Sequence, residues 1–178
     1  MLKRKIDKYL EEWKASADKK PLIVKGARQV GKTASIRYFG EKYYNNIVEI
    51  NFALQPKYKQ IFADGYEVDS IIKNITLLNP TLVFVPHETL LFFDELQEYP
   101  DCATSLKSFK QDGRYDVICS GSLMGLYYQQ IESNSVGYKT DYEMYSLDFE
   151  EFLWAKGYDE HFIDDLYQHM LELKPLSN

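Results

Sequence analysis

Two glycines, a lysine and a threonine near the start of the chain have the types and spacing of a phosphate-binding loop. They are Gly26, Gly31, Lys32 and Thr33, which match the pattern G-x-x-x-x-G-K-[ST]. Glycines let backbone N–H groups approach an anion, and a helix that begins at the lysine adds the positive end of its dipole. The pattern therefore predicts that Lys32 contacts the β- and γ-phosphates of a nucleotide and that Thr33 places its hydroxyl on Mg²⁺.

The whole loop is predicted to contact the nucleotide. A chance match in a glycine turn is the alternative, but the apolar stretch PLIV before the loop and the helical pattern after it are the context that the motif requires. The predicted cofactor-binding residues of the loop are Gly26, Ala27, Arg28, Gln29, Val30, Gly31, Lys32, Thr33 and Ala34.

Two acids close an apolar stretch further along the chain. The segment TLLFFDE ends in Asp94 and Glu95, which is the pattern of a buried strand that ends on a metal-binding aspartate. Asp94 is predicted to hold Mg²⁺, usually through water, and Glu95 to orient or deprotonate the attacking water. A strand that simply leaves the core is the alternative, and the upstream loop disfavours it. Lys32 and Glu95 are thus the predicted catalytic residues, and Thr33 and Asp94 the predicted metal ligands.

A third polar element, CSGSL, follows the next apolar segment. Ser120 and Ser122 lie at its end, where ligands bind in open parallel sheets. Either serine is a candidate to hydrogen-bond the γ-phosphate or the attacking water, and Ser122 is equally a candidate to cap the helix predicted at LMGL. The chain has no N-K-x-D or T-K-x-D stretch to read guanine, which favours ATP over GTP.

Composition limits the class of protein. The chain has 178 residues, 45% of them hydrophobic and 27% charged, which indicates one globular domain with a real core. A net charge of −6 argues against nucleic acid as the main ligand, although the first twenty residues are basic. Two cysteines and three histidines do not cluster, so neither a zinc site nor a disulfide framework is expected. The charged amino-terminal stretch and the short apolar runs predict a cytoplasmic protein without a membrane segment.

Short apolar segments alternate with helical patterns along the chain. Strands are predicted at 21–26, 46–53, 88–97, 115–122 and 141–147, and helices at 1–16, 31–43, 56–79, 102–113, 123–132, 148–157 and 161–173. This alternation predicts an α/β fold of three α/β/α layers with a mainly parallel five-stranded sheet. The first helix is basic, which is compatible either with a DNA contact or with a solvated face whose apolar stripe packs on the sheet.

Taken together, these motifs resemble those of the prokaryotic AAA+-like ATPases that carry an uncharacterised C-terminal domain. The resemblance rests on KGARQVGKT, TLLFFDELQE, CSGSL and YEMYSLDFEEFL in that order, and it covers nearly the whole chain. It implies ATP binding and hydrolysis on a RecA/AAA+-type P-loop NTPase sheet. It also implies the roles given above: nucleotide binding by the loop, metal binding and catalysis by Asp94 and Glu95, and a polar contact by Ser120 or Ser122.

The resemblance further implies a domain organisation. We expect residues 1–155 to form the P-loop ATPase domain with its N-terminal amphipathic helix. Residues 156–178 are expected to be a helical segment leading toward a C-terminal domain that is absent from this sequence. A second copy of the chain, that missing domain or a partner protein are the expected macromolecular partners.

The sequence departs from the family pattern at two places, and the second departure affects the expected rate. Ser146 and Asp148 depart from the usual Pro-Leu-Ser-Phe-x-Glu-Phe stretch, which is a tolerable change. Where relatives often have a Gly-Arg pair, this chain has Gly137-Tyr138 followed by Lys139. An arginine finger is worth about 10³–10⁵ in rate, so turnover without one is expected to be slow. Arg28 is a candidate to replace it in part, or is a solvent-facing loop residue.

Three functions remain open from the sequence. The first is an Mg²⁺-dependent ATPase that drives or switches a C-terminal effector domain. The second is a nucleotide-dependent switch or binding module with negligible turnover. The third is the ATPase part of a DNA-processing factor whose nucleic-acid contacts lie elsewhere.

Overall fold

The structure of the chain is a computed structural model that describes residues 2–122 and 126–172. Within these residues the strands are β1 (Leu22–Lys25), β2 (Asn46–Asn51), β3 (Thr89–Asp94), β4 (Asp116–Gly121) and β5 (Thr140–Glu143). The α-helices described are α1 (Lys5–Ala15), α2 (Lys32–Tyr43), α3 (Val68–Leu78), α4 (Ser105–Asp112), α5 (Leu126–Ser135), α6 (Phe149–Ala155) and α7 (Glu160–Glu172).

The five strands form one sheet in the order β2-β3-β4-β1-β5, and all of its described pairings are parallel. The predicted three-layer α/β/α class is therefore confirmed. The register brings Asn51 of β2 opposite Asp94 of β3, and Val24 of β1 opposite Ser120 of β4. Because parallel strands end at the same edge, the loops after β1, β2, β3 and β4 meet there.

The sheet is covered on both faces, and β3 illustrates why. Every residue of TLLFFD is buried, and alternate side chains point to opposite faces. Leu91 and Phe93 pack in the cluster that includes α3 and α4, whereas Leu90 and Phe92 pack with α1 and α2. Burying a side chain of this size stabilises the fold by about 1.5–3 kcal/mol.

Helix α1 packs its apolar stripe on the sheet and leaves its basic side chains on the outside. Ile6, Leu10 and Trp13 are buried in the same cluster as β1 and α2. The Trp13 indole N–H donates to the Lys20 carbonyl at 2.7 Å, so the segment after the helix is tied back to it. This packing agrees with a solvated basic face. A DNA contact by that face stays a prediction.

The helix predicted at 56–79 is wrong in its middle. The chain forms a 3-10 helix at Pro56–Phe62, turns at Gly65 (φ +101°), and resumes as α3 at Val68. The pair Asp64-Gly65 is a turn signal that helical periodicity on either side obscured. The Asn74 amide donates to the Ile61 carbonyl at 3.2 Å, which ties the two halves together.

Other predicted boundaries need smaller corrections. The helix predicted at 102–113 is a 3-10 helix at Pro100–Thr104 followed by α4, and it stops at Gly113 as expected. The fifth strand lies slightly earlier than the predicted 141–147. The start of the helix predicted at 123–132 and the end of the one at 161–173 lie outside the described residues. Among the residues described, no helix is both long and apolar enough to cross a bilayer.

Candidate functional site

An open cavity of about 590 Å³ lies at the carboxyl edge of the sheet. Its walls come from the phosphate loop, the start of α2, the ends of β2 and β3, and the loop after β4. The residues that line it are Arg28, Gln29, Gly31, Lys32, Thr33, Ala34, Arg37, Ala53, Asp94, Glu95, Glu98 and Ser122. Most of the predicted site residues therefore share one cavity of the size that small-molecule sites have.

The phosphate loop has the backbone that its glycines permit. Gly26 and Gly31 have φ values of +151° and +101°, and α2 begins directly after Gly31. The other predicted loop residues, Ala27 and Val30, line with Gly26 a smaller cavity of about 180 Å³ on the other side of the loop. Gly26 also leaves no room for a side chain, because a Cβ there would lie 2.1 Å from the Met144 carbonyl oxygen.

Replacing Gly26 by alanine should therefore displace the loop. We expect Gly26→Ala to lower the free energy of unfolding by about 1–3 kcal/mol, because a backbone atom cannot move aside as a flexible side chain can. Urea denaturation measures this loss. Gly65→Ala is the matched control, since Gly65 also has positive φ but a Cβ there meets open space. Equal losses in both variants would mean that backbone strain alone, and not the contact with Met144, requires glycine.

The ammonium group of Lys32 is folded onto its own loop. Its Nζ donates to the carbonyl oxygens of Gly26 at 2.9 Å and Ala27 at 2.7 Å, and the residue is 9% exposed. Burial lowers the pKa of Lys32, and the negative charges of Glu95 and Asp94 partly oppose that shift. The site thus contains a buried cation whose present acceptors are two neutral carbonyls.

Asp94 is the centre of the polar network at this edge. Its Oδ2 accepts from the Thr33 hydroxyl at 3.2 Å and the Asn51 amide at 3.0 Å. Its Oδ1 accepts from the Ser120 hydroxyl and from the Glu95 backbone N–H at 3.0 Å. The carboxylate is 4% exposed, so these donors rather than water hold it in place.

Asn51 is a site residue that the sequence reasoning missed. Its Oδ1 accepts from the backbone N–H groups of Ala53 at 3.0 Å and Leu54 at 2.8 Å, the pattern of an Asx turn after β2. Those two bonds fix the amide so that its NH₂ group faces Asp94. A polar residue at the end of a strand next to β3 was the available signal, but it could be used only once the strand order was known.

Glu95 has an unusual backbone and a partner of its own. It lies in the left-handed region at φ +57° and ψ +48°, which side-chain-bearing residues rarely adopt. Its carboxylate accepts from the Gln97 side-chain amide, and the Gln97 Oε1 accepts from the Ser122 backbone N–H at 3.1 Å. Gln97, also missed from sequence, therefore links the predicted catalytic acid to the loop after β4.

The two serines occupy different environments. Ser120 is fully buried and donates to Asp94, whereas Ser122 lines the cavity. Contact of either one with a γ-phosphate or an attacking water stays a prediction. The capping role considered for Ser122 falls on a helix start that includes residues 123–125, which lie outside the described residues.

A family model for the AAA domain matches residues 18–153. The chain belongs to the AAA domain family. The motifs that carried the resemblance from sequence all lie within or at the end of the matched stretch, and the module is of the nucleotide-binding ATPase type. A search of curated proteins found no match.

Two solved structures have the same fold as this AAA domain. PCH-2 of C. elegans aligns with a TM-score of 0.51 and 12% identity over 88% of this chain and 48% of that one. The Drosophila ORC bound to DNA aligns with a TM-score of 0.53 and 14% identity over 93% of this chain and 47% of that one. The AAA domain described here therefore spans about half the length of each of these chains.

The basic residues around the cavity of this AAA domain differ in how they are engaged. Arg28 is exposed on the rim and has no hydrogen-bond or ion-pair partner in the described part of the chain. Arg37 is paired with Glu49 at 2.7 and 2.6 Å. Lys139 precedes β5 and is not among the residues that line the cavity; its side chain is only 6% exposed and is held by two carboxylates, so it is not free to replace the missing arginine.

The oxygen atoms of Thr33 and Asp94 fit a magnesium ion. A hydroxyl and a carboxylate 3.2 Å apart at the edge of a cavity are hard oxygen ligands of the kind that Mg²⁺ prefers. In the described residues there is no cluster of three or more histidine, cysteine or acidic side chains that could hold a metal without such help. Magnesium sites commonly use one or two protein ligands together with substrate phosphates.

Proposed function

We propose that this AAA domain binds Mg²⁺-ATP in the 590 Å³ cavity and hydrolyses it, and that hydrolysis drives or switches a C-terminal effector domain. One observation carries the proposal: Lys32, Thr33, Asp94 and Glu95, from two separate stretches of sequence, converge on that cavity. ATP is preferred over GTP because the chain lacks a guanine-reading motif.

Lys32 would exchange its acceptors when the nucleotide binds. The two loop carbonyls give the buried ammonium group only neutral partners, whereas a triphosphate would supply charged oxygens. Hydrogen bonds between charged groups are about twice as strong as neutral ones, so the exchange favours the bound state. Backbone N–H groups of the loop and the start of α2 would surround the same phosphates.

Thr33 and Asp94 would hold Mg²⁺, Thr33 through its hydroxyl and Asp94 through its carboxylate. When bound, the ion supplies positive charge that neutralises the β- and γ-phosphate oxygens. Asn51 and Ser120 keep the Asp94 carboxylate in one orientation through their hydrogen bonds. The ligand oxygen is thereby positioned by protein groups on two neighbouring strands.

Glu95 would act as the general base. Its carboxylate lines the cavity and would accept a proton from the water that attacks the γ-phosphorus in line with the leaving oxygen of ADP. Gln97 holds that carboxylate by a hydrogen bond, which limits the positions from which it can reach the water.

A nucleotide-dependent switch with negligible turnover is the second candidate, and the basic residues favour it. Lys139 is buried between two carboxylates away from the cavity, and Arg37 is paired with Glu49, which leaves Arg28 as the unpaired arginine at the described cavity. A neighbouring copy of the chain that supplies an arginine would raise the rate. Participation in DNA processing has no support from the net charge of −6 and stays a prediction.

Phosphate release from ATP tests the proposal directly. We expect release that requires Mg²⁺ and an ATP affinity that falls about 10–100-fold in Lys32→Ala, because a charge-assisted hydrogen bond is lost. Lys73→Ala, which removes an exposed lysine from α3, is the matched control and should behave as the native chain. Calorimetric titration gives the affinity and a phosphate assay gives the rate.

The outcomes separate the candidates. Release that grows faster than linearly with protein concentration would indicate a site completed between copies of the chain. Tight Lys32-dependent binding without release would favour the switch. Equal ATP affinity in the native and Lys32→Ala proteins would contradict both.

A further inference from the structure

The side chain of Arg4 is buried between the phosphate loop and helix α6. Its neighbours in sequence, Lys3 and Lys5, have side chains that are 57% and 44% exposed, whereas the Arg4 side chain is 9% exposed. A buried guanidinium must find acceptors, because leaving a desolvated charge without partners is costly. The basic start of the chain therefore contains one residue whose role differs from that of a solvated surface charge.

The three nitrogens of the Arg4 guanidinium contact three separate segments. Nη1 donates to the Val30 carbonyl in the phosphate loop at 2.9 Å, and Nη2 donates to the Tyr145 carbonyl after β5 at 2.8 Å. Nε lies 3.0 Å from the Glu151 carboxylate in α6, an ion pair rather than a well-aligned hydrogen bond. One planar group thus joins the loop, the segment after β5 and helix α6.

Glu151 is itself fixed in position. Its Oε1 accepts from the Lys5 backbone N–H at 2.8 Å, at the start of α1. Its Oε2 accepts from the Asp148 backbone N–H at 3.2 Å, and Asp148 in return caps the Glu151 N–H at 2.9 Å. The counter-ion of Arg4 is therefore held by the capping box of α6 and by the first turn of α1 together.

The contact with Val30 reaches the part of the loop that would surround the phosphates. When the N–H groups of such a loop face an anion, its carbonyls point away and need donors from behind. Arg4 supplies that donor two residues before Lys32. It also packs closely against the loop, since a Cβ on Gly31 would lie 3.3 Å from the Arg4 Nη1.

We propose that Arg4 is a positioning residue for the phosphate loop, with Glu151 as its counter-ion, so that nucleotide affinity depends on the docking of α1 and α6. The proposal rests on the nucleotide binding proposed above. Arg4 lies outside the matched stretch 18–153, while Val30 and Glu151 lie inside it. A loop that is already held binds its ligand with less loss of conformational entropy, and by linkage the bound ligand strengthens the docking.

The substitution Arg4→Lys tests the positioning role. Lysine keeps the charge for Glu151 but cannot direct separate donors to Val30 and Tyr145 in the fork geometry of arginine. We expect the affinity for Mg²⁺-ATP, measured by calorimetry, to weaken about tenfold. Lys5→Gln is the matched control: it removes a neighbouring cation and its exposed ion pairs, which contribute little to docking, but not the contact with the loop, and should leave the affinity unchanged.

A loss of stability alone is distinguished by a second control. Ile75→Ala removes a buried side chain of α3 from the core cluster on the opposite face of the sheet from α1, so it should lower the unfolding temperature and leave ATP affinity unchanged. If Arg4→Lys does not fold, Arg4→Met combined with Glu151→Met replaces the buried pair by apolar groups, a change that folded proteins often accept. That double variant should show the same weakened affinity.

Hydrogen exchange reports the coupling to α6. We expect Mg²⁺-ATP to slow amide exchange in α6 of the native chain and to have a much smaller effect in Arg4→Lys. Native affinity in both Arg4 variants, or no ligand effect on α6 in the native chain, would overturn the proposal. If the native chain and Lys32→Ala bind ATP equally weakly, nucleotide binding itself fails, and the role of Arg4 falls with it.

Discussion

Replacing Glu95 by glutamine should lower the rate of phosphate release by about 10²–10⁴-fold while ATP still binds. The amide is nearly the same size as the carboxylate and can remain beside Gln97, but it cannot accept a proton from water. The phosphate loop, Thr33 and Asp94 are unchanged, so the groups that would bind the nucleotide are retained. Single-turnover phosphate release and calorimetric titration of the same protein measure the two effects separately.

The control for this change is Glu67→Gln. Glu67 is exposed at the start of α3, makes no side-chain capping bond and is not among the residues that line the cavity. The same loss of one negative charge there should leave both rate and affinity as in the native chain. A native rate in Glu95→Gln would rule out Glu95 as the base, and an equal loss of affinity and rate would place it in binding instead.

Replacing Asp94 by asparagine should affect stability as well as activity. The carboxylate accepts from Thr33, Asn51, Ser120 and the Glu95 N–H, and asparagine has only one oxygen. If the asparagine NH₂ replaces Oδ2, the Thr33 hydroxyl can rotate to accept from it, but the Asn51 amide cannot. If the NH₂ replaces Oδ1, the Ser120 hydroxyl can rotate to accept, but the Glu95 backbone N–H cannot. One donor is therefore left unsatisfied, which should lower the free energy of unfolding by about 1–3 kcal/mol.

The same change removes half of the proposed magnesium site. We expect Asp94→Asn to reduce phosphate release by about 10²-fold or more, because the charge stabilisation that a metal provides is worth several kcal/mol. Urea denaturation without ligand measures the loss of stability. The rate of phosphate release as a function of Mg²⁺ concentration measures the loss of activity. Asp164→Asn, an exposed change on α7, controls for the loss of one negative charge. Native stability in Asp94→Asn would show that the network does not depend on the carboxylate.

The parts of the site that could be predicted from sequence are those encoded in short stretches. The loop from Gly26 to Thr33 needs a fixed order of residue types, and a strand buried on both faces that ends in Asp94 and Glu95 is apolar along its whole length. Such patterns report the local backbone and burial directly. The alternation of these segments with helices was sufficient for the class of fold.

The residues that were missed act across large separations in sequence. Asn51 lies 43 residues from Asp94, and Arg4 lies 26 residues from Val30 and 141 from Tyr145. Nothing in their local sequence distinguishes them, since Arg4 is one of several cations at the start of the chain. Their roles follow from strand order and from the docking of α1, which no local pattern specifies.

The break near Gly65 was missed for a different reason. Helical periodicity on both sides of it is strong, as the buried Ile61, Ile71 and Ile75 show. A single turn signal was outweighed by that pattern, although the glycine takes a conformation that ends a helix. The helical character of this segment was therefore easier to predict than the break that divides it into two helices.

The left-handed backbone at Glu95 has a consequence for how this sequence can change. Glycine or asparagine would adopt that conformation at lower cost, so selection for thermal resistance alone would drive the position away from glutamate. Given the proposed role of Glu95 as the base, variants recovered from a screen for heat tolerance would be expected to lose turnover at this position. Engineering for robustness would therefore have to exclude it and look for gains elsewhere in the chain.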